Sequence, residues 1–227
     1  MNRGIRFSRL FIVSVILTPA LTLPVLAGAH TWRVNEVFSN AAGNIQFIEL
    51  RECCGGNFET GVNGQLLTSS TRSYTFSGFT IPPTTANRHL LIATPDCAAL
   101  PGFPTPNYII PAGSVPFFNT GGDFVKYAVY DTLTFASVPT DGVHSLNAGL
   151  VVACNTPTNF AGATGSINLG CSMLGDVNGS GGLDGGDIAG FVRVKTGTPI
   201  GGDNVACAEY CTGTLAGDIA AFVNDLL

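Results

Sequence analysis

From Trp32 onwards the chain is cut at short intervals into runs of β-branched, aromatic and aliphatic residues, and this punctuation constrains its fold more than any other feature. The runs are 32–38, 45–52, 74–79, 90–94, 124–130 and 143–146. Turn-forming residues separate them at 40–44, 54–57, 82–87, 101–106 and 121–122. In the run 124–130, Val125, Tyr127 and Val129 alternate with Lys126 and Tyr130, as a strand with one wet face requires. A chain with 29 Gly and 13 Pro has few segments in which a helix could persist, so the bulk is expected to be a β-sandwich or barrel.

The first residues read as an export signal. Arg3, Arg6 and Arg9 precede an apolar run at 10–17, and Ala27, Gly28 and Ala29 offer small residues for cleavage before His30. The apolar run is shorter than the roughly 20 residues of a bilayer span, and no later segment is long enough, so no membrane span is expected in the mature chain. Removing 29 residues leaves 198, enough for one sandwich and a small appendage. The expected division is a signal peptide at 1–29, a β-domain at 30–170 and a second module at 171–227.

Charge narrows the partners. The mature part carries 7 Lys and Arg against 15 Asp and Glu and has no basic run, which argues against nucleic acid. Seven cysteines in an exported protein point to disulfides rather than thiolate chemistry, with at least one thiol left over because the count is odd. Spacing favours Cys207 with Cys211, and one of Cys53 or Cys54 with Cys97.

Two stretches resemble known families. Val34-Asn35-Glu36-Val37, a short turn and then Gln46-Phe47-Ile48-Glu49-Leu50 resemble the opening hairpin of lamin-tail domains, and the string of strands continues to about residue 168. The resemblance implies an immunoglobulin-like fold over 31–168 and a binding role. Glu36 and Glu49 could in principle act as a paired acid and base, but the resemblance assigns them to the fold's own hydrogen bonding.

After Cys171 the texture changes. In the segment 176–187, oxygen-bearing side chains fall at loop positions one, three, five, nine and twelve, with Gly181 at six. Calcium takes six to eight oxygens, and an EF-type loop supplies them at this spacing, with a backbone carbonyl at position seven and a glycine at the sharp turn. The candidate ligands are therefore Asp176, Asn178, Ser180, the Gly182 carbonyl, Asp184 through water, and Asp187, with Leu183 turned into the core. Ser180 brings no charge, and Asp187 reaches less far than the usual Glu, so the affinity should fall below that of a full EF-hand.

The sequence Gly186-Asp187-Ile188-Ala189-Gly190-Phe191-Val192 recurs 31 residues later as Gly217-Asp218-Ile219-Ala220-Ala221-Phe222-Val223. Ile, Phe and Val fall at i, i+3 and i+4, which predicts two short helices burying these faces against each other, each capped by its Asp. The second loop is degenerate: Ala208, Tyr210 and Thr212 stand at its first three ligand positions, and one residue is missing before Asp218. Loop, helix, linker, degenerate loop and repeated helix together resemble a type I dockerin over 174–227. That resemblance implies calcium as the cofactor and a cohesin-like or cell-surface protein as the partner, although Gly185 and Gly186, at loop positions ten and eleven, offer no side chain for recognition.

The expected fold class is thus mainly β, an immunoglobulin-like β-sandwich followed by a small α-helical EF-hand-like module. The expected function is that of a secreted or cell-surface protein, not an enzyme, that binds calcium and mediates attachment. Two alternatives stand beside it: a polysaccharide-degrading hydrolase component, since dockerin-like modules often accompany such enzymes, and a structural cell-surface protein. Against a hydrolase, the sequence has no Gly-x-Ser-x-Gly elbow and no His-Glu-x-x-His pair, and His89 and His144 lack a recognisable nucleophile nearby.

Overall fold

The alternation of apolar residues folds the first two runs into a hairpin, β1 (Trp32–Ser39) against β2 (Gln46–Glu52). The computed structural model describes Met1 and residues 28–227, so the expected leader lies outside the described residues except for Met1, Gly28 and Ala29. The chain continues through β3 (Leu66–Thr68), β4 (Ser73–Thr75), β5 (His89–Ala93), the one-turn helix α1 (Pro95–Ala98), β6 (Tyr108–Ile109), β7 (Asp123–Tyr127), β8 (Asp131–Phe135), β9 (His144–Asn147) and β10 (Val151–Cys154). Helices α2 (Asp187–Lys195) and α3 (Leu215–Leu226) complete it.

The protein is mainly β. One sheet has six strands in the order β10-β9-β1-β2-β5-β6, and the other has four in the order β4-β3-β7-β8. Their facing side chains make one core: Trp32, Val34, Ile48, Leu50 and Leu90 from the larger sheet meet Leu67, Tyr74, Val125, Tyr127 and Phe135 from the smaller. The Trp32 indole N–H is satisfied within this core by the Glu59 carbonyl at 2.9 Å. A second cluster of Phe38, Phe47, Leu91, Ala93, Cys97 and Ile167 covers the opposite face of β2 and β5.

Several strand expectations needed trimming. The run 124–130 ends at Tyr127 because Ala128 takes φ +47° and the chain turns into β8, leaving Val129 84% exposed at the tip. The run 74–79 keeps only the strand Ser73–Thr75, after which Gly78 turns at φ +92°. Strands β3, β6, β8 and β10 are too short or too mixed in pattern to stand out, and pairing with longer neighbours defines them.

The C-terminal segment has its own small core of Val177, Phe191, Cys207, Ala208 and Phe222, with Leu183 packed against it. The phenyl rings of Phe191 and Phe222, equivalent positions of the repeat, stack with centroids 4.0 Å apart. The rest of the predicted helical face is not buried: Ile188, Val192, Ile219 and Val223 are each 44–51% exposed. The inner face of α2 is instead Asp187, Gly190, Phe191 and Val194, spaced i, i+3, i+4 and i+7. With Asp187 turned inward towards its loop, that register rotates Ile188 and Val192 onto the flank.

Both favoured cysteine pairings are corrected. Cys207 pairs with Cys171, Cys211 with Cys154, and Cys53 with its neighbour Cys54, while Cys97 is free and buried. The short turn Val205–Ala208 directs Cys207 into the C-terminal core, where Cys171 lies. Cys97 packs near Phe47, six strand residues and therefore roughly 20 Å from Cys53. Burial pushes the Cys97 thiol up, so it behaves as a small apolar side chain. Cys154–Cys211 joins β10 to the second loop, and Asn168 Nδ2 to the Ala206 carbonyl (2.9 Å) and Asn204 Nδ2 to the Gly170 carbonyl (3.1 Å) add two further ties. Among the described residues no helix is long and apolar enough to cross a membrane.

Candidate metal centre

The loop 176–187 is organised by its own acidic side chains. Asp176 Oδ1 accepts from the Ser180 amide and Oδ2 from the Gly181 amide, both at 2.9 Å. Asn178 Oδ1 accepts from the same Ser180 amide at 2.8 Å. Asp187 closes the loop, its Oδ1 accepting from the Asn178 amide and its Oδ2 from the Asp184 amide, each at 2.9 Å. The Ser180 hydroxyl donates to the Gly182 carbonyl at 3.0 Å. Gly179 and Gly181 hold φ of +69° and +89°, a backbone shape that lets the chain reverse between the donors and that a Cβ would strain.

The expected helix caps are corrected here. Asp187 is the first residue of α2 but caps nothing; Gly186 holds the N-cap position, and the Asp187 carboxylate is committed to its loop. In α3 the cap is Thr214, whose Oγ1 accepts from the Gly217 amide at 3.0 Å, and Asp218 sits inside the first turn.

Asp187 is fully buried and Asp176 is 5% exposed, yet among the described residues no Lys, Arg or His pairs with either. Burying carboxylates without a counter-charge is costly, and hydrogen bonds from neutral amides offset it only in part. An all-oxygen donor set with two such acids fits a hard divalent cation. Asp184 stands apart: it is exposed, and its Oδ1 accepts from the Gly186 amide at 2.7 Å. Among the described residues, the acid and thiol trios whose ligand atoms lie within 4.8 Å of one another are Glu52-Cys53-Cys54 and Cys154-Glu209-Cys211. Their sulfurs are spent in disulfides, so neither trio offers thiolate ligands.

The second loop is built differently. Ala208 lies in the C-terminal core, and the Tyr210 ring packs edge-on to Phe191 and Phe222 with centroids 6.1 and 6.3 Å away. Thr212 gives its amide (3.1 Å) and hydroxyl (2.7 Å) to Asp218 Oδ1. Beside Asp218 is a residue that sequence reasoning passed over: Lys195, whose Nζ lies 2.6 Å from Asp218 Oδ2 and 3.3 Å from Glu209 Oε2. Burial raises the Asp218 carboxyl, but Lys195 and the Thr212 hydroxyl and amide outweigh it and hold the group below its usual range.

Glu36 and Glu49 do face each other. A bulge at Asn35 breaks the register of β1 on β2 and brings the two acids opposite one another. Both are buried and engaged. Glu36 Oε1 accepts from the Ser145 hydroxyl (2.6 Å) and the Thr156 amide (2.8 Å), and Glu49 accepts from Asn35 Nδ2 (2.6 Å) and the Thr158 amide (2.7 Å), with His89 Nδ1 at 2.8 Å. Together they clamp the strap 155–158 over the larger sheet. Burial pushes Glu36 up to about 6, with a small addition from Glu49, against the opposing Ser145 and Thr156 hydrogen bonds. His144 is engaged by a different acid, its Nδ1 2.6 Å from Asp141 Oδ2.

Comparison of the chain with protein-family models finds no match, and comparison with curated proteins and with solved structures finds no significant similarity.

Proposed function

We propose that this is a secreted, non-catalytic modular protein that binds one calcium ion through the loop 176–187 and uses its calcium-braced C-terminal module for attachment to another protein or a cell surface. The observation that carries the reading is the pair of buried acids, Asp176 and Asp187, that organise an oxygen-rich loop and that, among the described residues, pair with no basic side chain. Asp176, Asn178, Ser180, the Gly182 carbonyl, Asp184 and Asp187 would hold the ion, and its charge would compensate the buried carboxylates. In this reading the module is a dockerin-like EF-hand relative, and the β-body is an immunoglobulin-like sandwich of the lamin-tail kind.

A role in attachment is supported by the four half-exposed aliphatic side chains that the duplicated helices present, Ile188 and Val192 on α2 and Ile219 and Val223 on α3. A cohesin-like domain or cell-surface protein is the partner class that such exposed aliphatic positions on the two helices would suit. The absence of chemistry is supported by Glu36 and Glu49, which are consumed in clamping the strap rather than presented to a substrate.

Calorimetric titration of the mature protein with calcium, paired with melting temperatures in calcium and in chelator, tests the reading. One site is expected, and saturating calcium should raise the melting temperature, because a ligand that binds only the folded state stabilises it. Asp176→Ala and Asp187→Ala should abolish both effects. A wild-type protein indifferent to chelator would overturn the reading.

A further inference from the structure

We infer that the second loop keeps a cation, and that this cation is the ammonium of Lys195 rather than a metal ion. The repeat makes the case. Asp187 and Asp218 are equivalent positions, and each takes a backbone amide from its own loop. Asp187 has no basic partner among the described residues, whereas Asp218 has Lys195 at 2.6 Å. The Lys195 side chain is only 11% exposed and Asp218 only 8%, so this pair is sequestered rather than a loose surface contact.

The geometry explains why one lysine suffices. Lys195 is the last residue of α2, eight residues and therefore roughly 12 Å along the helix from Asp187. One helix thus begins at the first loop and delivers a positive charge to the second. Glu209 supplies the other carboxylate, while Ala208 and Tyr210 face the apolar core instead of an ion. Cys154–Cys211 then fastens this loop to β10, so the degenerate half of the duplication serves as an internal anchor.

A double-mutant cycle in chelator tests this without reference to calcium. Lys195→Met and Asp218→Asn should each lower the melting temperature by roughly 5–10 °C, as expected when one member of a sequestered pair is removed from a chain of this size. The double variant should lose much less than the two losses added, and Lys195→Arg should keep most of the parent's stability. Additive losses, or a Lys195→Met protein that melts like the parent, would overturn the inference. If Lys195→Met does not fold, Lys195→Arg and Asp218→Asn decide it through the same comparison of retained against lost charge. Calcium stoichiometry separates the two readings. Two ions bound to the parent would defeat the lysine assignment, whereas none bound would defeat only the calcium site of the first loop.

A second inference rests on the other end of the chain and on the export reading above: the mature protein begins at Gly28, two residues before the cleavage point that Ala27-Gly28-Ala29 suggests. Gly28 and Ala29 are part of the fold. The Gly28 amide donates to the Phe58 carbonyl at 3.0 Å, the Gly28 carbonyl accepts from the Gly61 amide at 2.8 Å, and the Tyr127 hydroxyl donates to the Ala29 carbonyl at 3.0 Å. A Cβ at Gly28 would run into the Glu59 carboxylate, which is buried and accepts from the His30 amide at 2.9 Å. Hydrolysis of the Ala27–Gly28 peptide bond by one water would leave the small residue Ala27 at the position next to the cut that a signal peptidase reads. It would also place the new α-ammonium group close to Glu59.

N-terminal sequencing of the exported protein should read Gly-Ala-His-Thr-Trp. A start at His30 would overturn this placement while leaving export intact, and an uncleaved chain would overturn the export reading itself. Chains produced to start at Gly28 and at His30 should differ in melting temperature by roughly 5 °C, for the three hydrogen bonds lost.

Discussion

Glu36→Gln probes the buried acid pair through pH, and the sign of the effect is unusual for a carboxylate. Glu36 is fully buried, and its pKa rises from 4.5 to about 6, chiefly because burial disfavours the charged form. Below about pH 4.5 the group is protonated in both the folded and unfolded chain and contributes nothing to the pH dependence. Between 4.5 and 6 the unfolded chain releases the proton while the folded chain retains it, so folding stability falls as pH rises. Above 6 the loss is complete, at about 2 kcal/mol for a shift of this size. Gln cannot ionise and keeps an oxygen to accept from the Ser145 hydroxyl and the Thr156 amide. The stability of Glu36→Gln relative to the parent should therefore grow by about 2 kcal/mol from pH 4 to pH 7, whatever its starting offset. For a chain of this length that is roughly 4–8 °C in melting temperature. Thermal melts of both proteins across this range in calcium-free buffer measure it. Glu52, Asp123, Asp141 and Asp218, whose carboxyls are held low, titrate in both proteins and cancel in the difference. Parallel melting curves at every pH would show that Glu36 carries no excess proton in the folded state.

Peptide mapping without reduction should recover Cys53–Cys54, Cys154–Cys211 and Cys171–Cys207, with Cys97 alkylated only after denaturation. Replacing Cys154 and Cys211 together by Ser removes a link between residues 57 apart in sequence, which the chain-entropy argument values at about 4 kcal/mol, measurable by denaturant unfolding. Phe222→Ala removes one of the two stacked rings at the centre of the C-terminal core and should cost about 3–5 kcal/mol, seen in the same unfolding experiment; an unchanged transition would mean that the Phe191–Phe222 stack is not the core's centre.

What local pattern encodes was legible from the residues alone. The runs at 32–38, 45–52 and 90–94 became strands with nearly those bounds, because alternation and flanking turn residues act within a few residues of one another. The repeat around Asp187 and Asp218 likewise became two helices, and the spacing of oxygens from Asp176 to Asp187 became a loop laced by its own acids. Tertiary structure alone decided which cysteines meet, that a bulge at Asn35 sets Glu36 against Glu49, and that Asp187 turned inward leaves Ile188 and Val192 outside. It also decided that Lys195, an unremarkable residue at the end of a helix, sits on Asp218, 23 positions away. Such pairings depend on how finished elements pack, and no short window of sequence contains both partners.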